Sequence, residues 1–387
     1  QNLCQGGGSP RCRTNAMKYG FIKVAAASPA LRVADCRYNA EKSAEMMKQA
    51  AAAGAHLLVL PELGLTGYTC GDLLLQPTLL AGAQDALQAL LEESRALSLT
   101  TVAGLPLAVE GKLYNCAAVL HRGQLLGIVP KLNLPNYGEF YEERWFTPAP
   151  AEVKTISLLG QEVPFGSRLL FCCRELPEYK LAVELCEDLW VASPPSIRHA
   201  VAGATVIANC SASDETIGKA EYRRSLVTGQ SARLMAGYLY ADAGRGESTT
   251  DMVFAGHDLI AENGKLLAET ALFTNDLILT ELDVHRLFAE RRRTTTWPAA
   301  ETSGYTMVPF SLPMGETTLT RFIDPYPFVP ADDTERRERC ETILAMQAEG
   351  LRRRLEHIGC PKAVLGISGG LDSTLALLVA VRALDLL

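Results

Sequence analysis

No run of apolar residues in the sequence approaches the ~18 that a bilayer crossing requires, which excludes a membrane helix. Basic charge is not in excess either: 37 Lys and Arg stand against 44 Asp and Glu, a net charge of −7. A nucleic-acid backbone demands a basic face, so no nucleic-acid partner is expected. Metal motifs are missing as well. The eleven cysteines form no C-x-x-C, and none of the six histidines lies in an H-E-x-x-H arrangement, so no metal site is expected within the chain. The cysteines are too scattered, and the chain too long, for the disulfide framework of a small secreted domain. They read as reduced thiols, and a cytoplasmic location is expected. The first 16 residues, QNLCQGGGSPRCRTNA, lack both the apolar stretch of a signal peptide and any periodicity. They read as a disordered or non-native extension, with the folded chain opening at Met17.

What the sequence does contain is 48% hydrophobic residues over 387 positions, enough for two or three domains. Short apolar runs alternate with helical stretches. Strands are expected at 21–27 (FIKVAAA), 55–62, 101–107, 115–121, 125–131, 180–190, 205–213 and 277–283, with a helix after Asn39, read as its cap, that Gly54 stops. Arg122-Gly123 and Asn263-Gly264 read as hairpin turns. This mixture of βα units and hairpins predicts an α/β fold of two layered sheets rather than a single wound sheet. From 289 to 333 repeated prolines predict a linker without regular elements, and the arginines 291–293 read as a solvated face. A helix is expected over 334–357, then a strand, AVLGIS, over 363–368.

Three segments following strands carry side chains suited to chemistry. Glu62 in LPELGLTGY follows an apolar strand, where desolvation raises a carboxylate toward general-base range. Lys131 opens KLNLPNYGEFYEERWF, and Cys186 ends the strand in LAVELCEDLW. Singly, these are a turn glutamate, a surface lysine and a small buried thiol. Together, a base, a cation and a nucleophile suffice to split an amide: the thiolate attacks the carbonyl, Glu62 carries the proton to the leaving nitrogen, and Lys131 with the Glu187 backbone N–H stabilises the oxyanion.

The segments PELGLTGY, PKLNLPNYGEFYEERWF and LCEDLW resemble the Glu-Lys-Cys triad segments of the nitrilase superfamily, most closely in its glutamine-dependent NAD synthetase branch. The resemblance spans 17–288. It implies an αββα sandwich that hydrolyses L-glutamine, with Glu62 as base, Lys131 as transition-state stabiliser, Cys186 as nucleophile and Glu142 as a supporting carboxylate. It also implies glutamine contacts at Tyr137, Glu187, Ser213 and Lys219, although arginine would serve equally at the last position.

A second motif, GISGGLDS at 366–373, is a glycine turn expected between a strand and a helix, exposing backbone N–H groups to a pyrophosphate. It lacks the lysine of a Walker loop. It resembles the pyrophosphatase loop of N-type ATP pyrophosphatases, which implies ATP contacts at Gly366, Ile367, Ser368, Gly369, Gly370, Leu371, Asp372 and Ser373 in the opening of a doubly wound domain over 334–387. The ligands for Mg2+ and the site for deamido-NAD would lie mostly beyond residue 387, so the chain reads as a fragment. An amide-splitting domain joined to an adenylating one implies an amidotransferase, expected as a homo-oligomer, that passes ammonia to adenylated deamido-NAD. A stand-alone amidase and a silent nitrilase-fold scaffold are the alternatives. The ATP loop speaks against the first, and the intact triad against the second.

Overall fold

The computed structural model describes residues 20–313 and 315–387; the expectations for residues 1–16 and for a start at Met17 lie outside them. Strand β1 (Phe21–Ala27) leads through helix α1 (Cys36–Ala52) to β2 (Leu57–Val59), and helix α2 (Pro77–Ser94) leads to β3 (Thr100–Val109). These three strands run parallel. The chain then turns back in the meander β4 (Lys112–His121) and β5 (Gln124–Pro130), followed by β6 (Lys154–Leu158) and β7 (Gln161–Phe165). A second sheet follows: β8 (Leu169–Cys173), β9 (Lys180–Leu185), the short helix α3 (Glu187–Trp190), α4 (Pro195–Val201), β10 (Val206–Ser211), α5 (Lys219–Leu234), β11 (Gly237–Asp242), β12 (Leu259–Glu262) and β13 (Lys265–Glu269). Strand β14 (Leu277–Asp283) returns to pair with β1 and leads into α6 (Val284–Arg293).

The result is an eight-stranded sheet, β14-β1-β2-β3-β4-β5-β7-β6, against a seven-stranded sheet that adds β15 (Thr306–Phe310) at its edge, in the order β13-β12-β11-β10-β9-β8-β15. Three apolar layers make the αββα sandwich that the resemblance implies. One lies between α1, α2 and the first sheet, one between the sheets, and one between the second sheet and α4 and α5. Alternate residues of β1 divide between two of these layers, Ala25 and Ala27 facing the helices and Ile22, Val24 and Ala26 the opposite sheet. The sheets approach closely at Gly237: a Cβ there would stand 2.4 Å from Leu282 Cδ1 of the facing layer.

Several local expectations need correction. Helix α1 is capped by Asp35, whose carboxylate accepts from the Tyr38 amide. Asn39 lies one turn further in, where its side chain bonds the Arg32 backbone. An Asx residue serves at either place, and sequence alone does not separate them. Within the expected linker, residues 306–310 form β15 despite Pro309, because the strand sits at a sheet edge, where one side of its backbone needs no partner. Arg291, expected in a solvated face, is buried and donates to the Leu234 and Ala200 carbonyls at the ends of α5 and α4.

The chain divides into two compact units, one running to Arg321 and the other Phe322–Leu387. The second consists of helices α7 (Asp333–Ile358) and α8 (Leu371–Asp385). Residues 363–368 do not form the expected strand, for a strand requires a partner and this unit offers none among its described residues. No helix among the described residues is long and apolar enough to cross a membrane.

Candidate active site

Glu62, Lys131 and Cys186 leave β2, β5 and β9 at one end of the two sheets. Glu62 is seated by close backbone packing. Gly104 of β3 lies so near that a Cβ on it would stand 2.4 Å from both the Leu63 nitrogen and the Pro61 oxygen. The Glu62 amide meanwhile donates across the sandwich to the Ser211 carbonyl of β10, at 3.2 Å. Lys131, completely buried, places Nζ 2.6 Å from Oε1 of Glu62 and 2.6 Å from Oε1 of Glu142. Asn115 of β4 donates to Glu62 Oε1 at 2.6 Å, and the Tyr68 hydroxyl to Glu142 Oε1 at 2.8 Å. Oε2 of Glu62 is buried with no hydrogen-bond partner, an acceptor edge left free on the carboxylate; the Oδ1 of Asn115 is likewise unpaired.

Cys186 stands between β9 and α3 at φ 39° and ψ −99°, a conformation uncommon for a residue with a side chain. Four contacts hold it there. Its amide donates to the Cys210 carbonyl and to Asn209 Oδ1, both at 3.0 Å. Two residues on, the Asp188 carboxylate accepts from the amides of Leu185 (3.1 Å) and Asn133 (2.9 Å), tying this turn to the segment after Lys131. The Glu187 amide is the first N–H of α3, a group for which a helix supplies no internal acceptor.

Electrostatics follow from burial. Glu62 is raised to about 7, first by desolvation and then by the Glu142 carboxylate, against the pull of Lys131. Burial opposes the charge on Lys131, but Glu142 and Glu62 outweigh it and hold the ammonium well above its ordinary value. Burial, with the Glu62 charge beside it, pushes the Cys186 thiol up, and Lys131 works the other way. A resting thiol facing a carboxylate poised near neutrality can lose its proton as it attacks, leaving charge that the lysine and the helix amide can meet.

The expected rim residues gather at the same end. Tyr137, largely exposed, donates to Glu187 at 2.8 Å. Ala212 O lies 3.9 Å from Cys186 Sγ, with Ser213 next in the chain. Lys219 pairs with Asp214, its ammonium 5.4 Å from the Trp190 ring centroid and 5.8 Å from that of Phe140.

This geometry has relatives. The family model described as carbon-nitrogen hydrolase matches residues 23–292. The chain belongs to the carbon-nitrogen hydrolase family. A second family model, NAD synthase, matches residues 343–386. The glutamine-dependent NAD(+) synthetase of Mycobacterium tuberculosis is 43% identical over 381 residues, covering 96% of this chain and 56% of its own length. The chain thus spans just over half the length of the curated relatives it matches. Among solved structures, a glutamine-dependent NAD(+) synthetase from Cytophaga hutchinsonii superposes with a TM-score of 0.60 at 31% identity, covering 68% of this chain and 43% of its own. The enzyme from Acinetobacter baumannii, in complex with adenosine diphosphate, gives 0.58 at 26% identity, covering 94% and 57%.

Within this carbon-nitrogen hydrolase domain the geometry brings forward residues that the sequence does not single out. Asn115 and Tyr68 are polar positions in apolar segments already singled out as a strand and as the Glu62 loop. Arg223, whose guanidinium donates to Ser213 Oγ and the Asp214 carbonyl, lies within an otherwise ordinary helix and gave no signal. The second unit carries the GISGGLDS turn. Gly369 has φ 84°, and Gly370 precedes α8 with no side chain capping it. Ser368 Oγ and Ser373 Oγ lie 3.2 Å apart, and Gly366 and Gly369 face open space. Among the described residues no group of three or more His, Cys, Asp or Glu is placed to hold a metal.

Proposed function

We propose that the chain hydrolyses glutamine at Cys186 as the ammonia-supplying part of a glutamine-dependent NAD synthetase. The observation that carries this reading is the buried Lys131 joined at 2.6 Å to both Glu62 and Glu142, at the same end of the sandwich as Cys186. Glu62 takes the thiol proton as sulfur attacks the amide carbon, the C–N bond breaks, and the same proton leaves with ammonia. Water then attacks the thioester, giving a proton to Glu62, and glutamate departs as the S–C bond breaks and Glu62 returns that proton to the sulfur. Lys131 Nζ and the Glu187 amide stabilise the oxyanion in both steps, and Glu142, held by Tyr68, keeps Lys131 charged and in place. Glu187 with Tyr137 would receive the substrate ammonium, and Ser213 with Lys219 its carboxylate. A cytoplasmic setting suits a reaction that depends on a free thiol.

In the second unit the open turn fits a nucleotide pyrophosphate. The backbone amides of Gly370, Leu371, Asp372 and Ser373 would face it, with the Ser368 and Ser373 hydroxyls as donors and Gly366, Ile367 and Gly369 shaping the approach. ATP bound there would supply adenylation of a carboxylate such as that of deamido-NAD, the acceptor for ammonia. Asp372 is the one acidic side chain of this turn, too few to hold Mg2+ unaided. The match of residues 343–386 to the NAD synthase model favours this reading over a stand-alone amidase.

The test is a glutaminase assay with an electrophilic glutamine analogue. The label should be found on Cys186 by mass, and Cys186→Ala should lower hydrolysis at least ~10³-fold, since nucleophile and base act as one unit. A variant keeping a tenth of the activity, or a label on another cysteine, would overturn the assignment.

A further inference from the structure

We infer that Arg223 is a positioning residue for the recognition segment 213–219, with His257 and Glu269 fixing the direction of its guanidinium. This rests on the glutamine reading above for what the segment binds. Arg223 lies one turn into α5 and is the largest fully buried side chain of the protein's described residues. Its Nη2 donates to Ser213 Oγ at 3.2 Å and to the Asp214 carbonyl at 3.0 Å, and its Nη1 to Glu215 Oε2 at 3.0 Å. Three consecutive residues are thus held by one rigid fork. Asp214 in turn pairs with Lys219, so both side chains assigned to the substrate carboxylate depend on this group.

Burying a guanidinium is costly, and packing alone would be served as well by an apolar side chain. What a planar fork adds is fixed direction. Its remaining contact sets that direction: Nη1 also donates to His257 Nδ1 at 2.9 Å. Arginine has no acceptor, so Nδ1 must be the unprotonated nitrogen, leaving the proton on Nε2 to bond Glu269 Oε1 at 2.6 Å. Glu269 is held by Arg224, 2.6 Å away. A chain of fixed donors and acceptors therefore runs from the edge of the second sheet to Ser213, and no member of it touches Cys186, Glu62 or Lys131 through a hydrogen bond. Loss of Arg223 should weaken substrate capture and leave the triad as it is.

The test compares Arg223→Lys, His257→Ala and His257→Asn in the whole chain. Three readouts are used: glutamine kinetics, the rate of Cys186 alkylation by iodoacetamide, and hydrogen exchange of amides 213–219. Lysine keeps the charge but not the fork. It should raise KM for glutamine ~10-fold or more with kcat within about threefold, the split expected when binding shared by ground and transition states is removed. Alkylation should be unchanged and exchange in 213–219 faster. His257→Ala should show the same pattern more weakly, and His257→Asn, whose Oδ1 can replace Nδ1, should restore it. If Arg223→Lys does not fold, the two His257 variants decide the matter. Unchanged KM and exchange, or kcat and alkylation falling with KM constant, would overturn the proposal. Should the wild-type chain neither hydrolyse glutamine nor be protected by it from alkylation, the glutamine reading fails. The exchange data would still decide whether Arg223 positions the segment.

Discussion

At Cys186 two costs coincide, a backbone at positive φ and a thiol denied water. Sites of this kind persist only where surrounding bonds over-determine them, and here the bonds to Asn209, Cys210 and the Asp188 turn do so. Because burial holds the thiol protonated, the charge state that limits the proposed reaction is that of Glu62. The base must be ionised to accept a proton, and its pKa lies at about 7 rather than near 4.5. Glutamine kcat/KM should therefore fall about tenfold per unit as pH drops below about 7. Lys131 should contribute no alkaline limb within the ordinary lysine range, since Glu142 and Glu62 keep it charged. A pH–rate profile from 5 to 10 checks this, and a flat profile would contradict the base assignment.

Among the elements, β15 shows how a proline-rich stretch acquires a definite place. It pairs in parallel with β8, and the preceding loop brings Tyr305 to His199 of α4, 2.8 Å from Nδ1. Burial lowers His199 from 6.5 to about 4. The unfolded chain takes up a proton below 6.5 and the folded one does not until about 4, so this histidine's contribution is complete above 6.5 and is lost as pH falls through that window. The melting temperature of the protein should thus drop toward that of His199→Phe between pH 6.5 and 4. Thermal unfolding of both at half-unit steps measures it. Elements of this fold were legible where local chemistry decides: the apolar strands, the Asn263-Gly264 hairpin, and a base, a lysine and a thiol each just past a strand. They were illegible where a distant partner decides. β15 needs the free edge of β8, Arg291 is buried only because two helices end over it, and 363–368 reads as a strand yet has no neighbour to pair with. Arg223 is the extreme case, an arginine in an ordinary helix whose contacts lie in a loop ahead of it and on a histidine far beyond.

At the scale of the molecule, the first unit closes on itself only with its last residues. Arg321 donates to Glu262 at 3.0 Å and to the Glu281 carbonyl at 2.8 Å, and Thr320 meets the Glu281 carboxylate at 2.8 Å. A chain ending after Arg321 should keep the melting temperature of that unit and the glutaminase activity proposed for it. One ending after Gly304 lacks β15 and these bonds and should melt a few degrees lower, as about 2 kcal/mol shifts a domain of about 300 residues by roughly 3 °C. Scanning calorimetry of the two compares them directly. The sandwich has one more consequence. Glu62 and Lys131 follow strands of one sheet and Cys186 a strand of the other, so the reach from thiol to carboxylate is the spacing between layers, and the proposed catalytic centre is a gauge of the thickness of the whole core. Gly237 pairs with Val206, which pairs on its other side with Leu181, at the opposite end of β9 from Cys186. Gly237→Ala would wedge a methyl group against Leu282 and spread the layers from that distant end. A displacement of about 1 Å is enough to cost ~10²-fold in turnover, so this substitution, made where no substrate comes near, should register in kcat as a change of gauge.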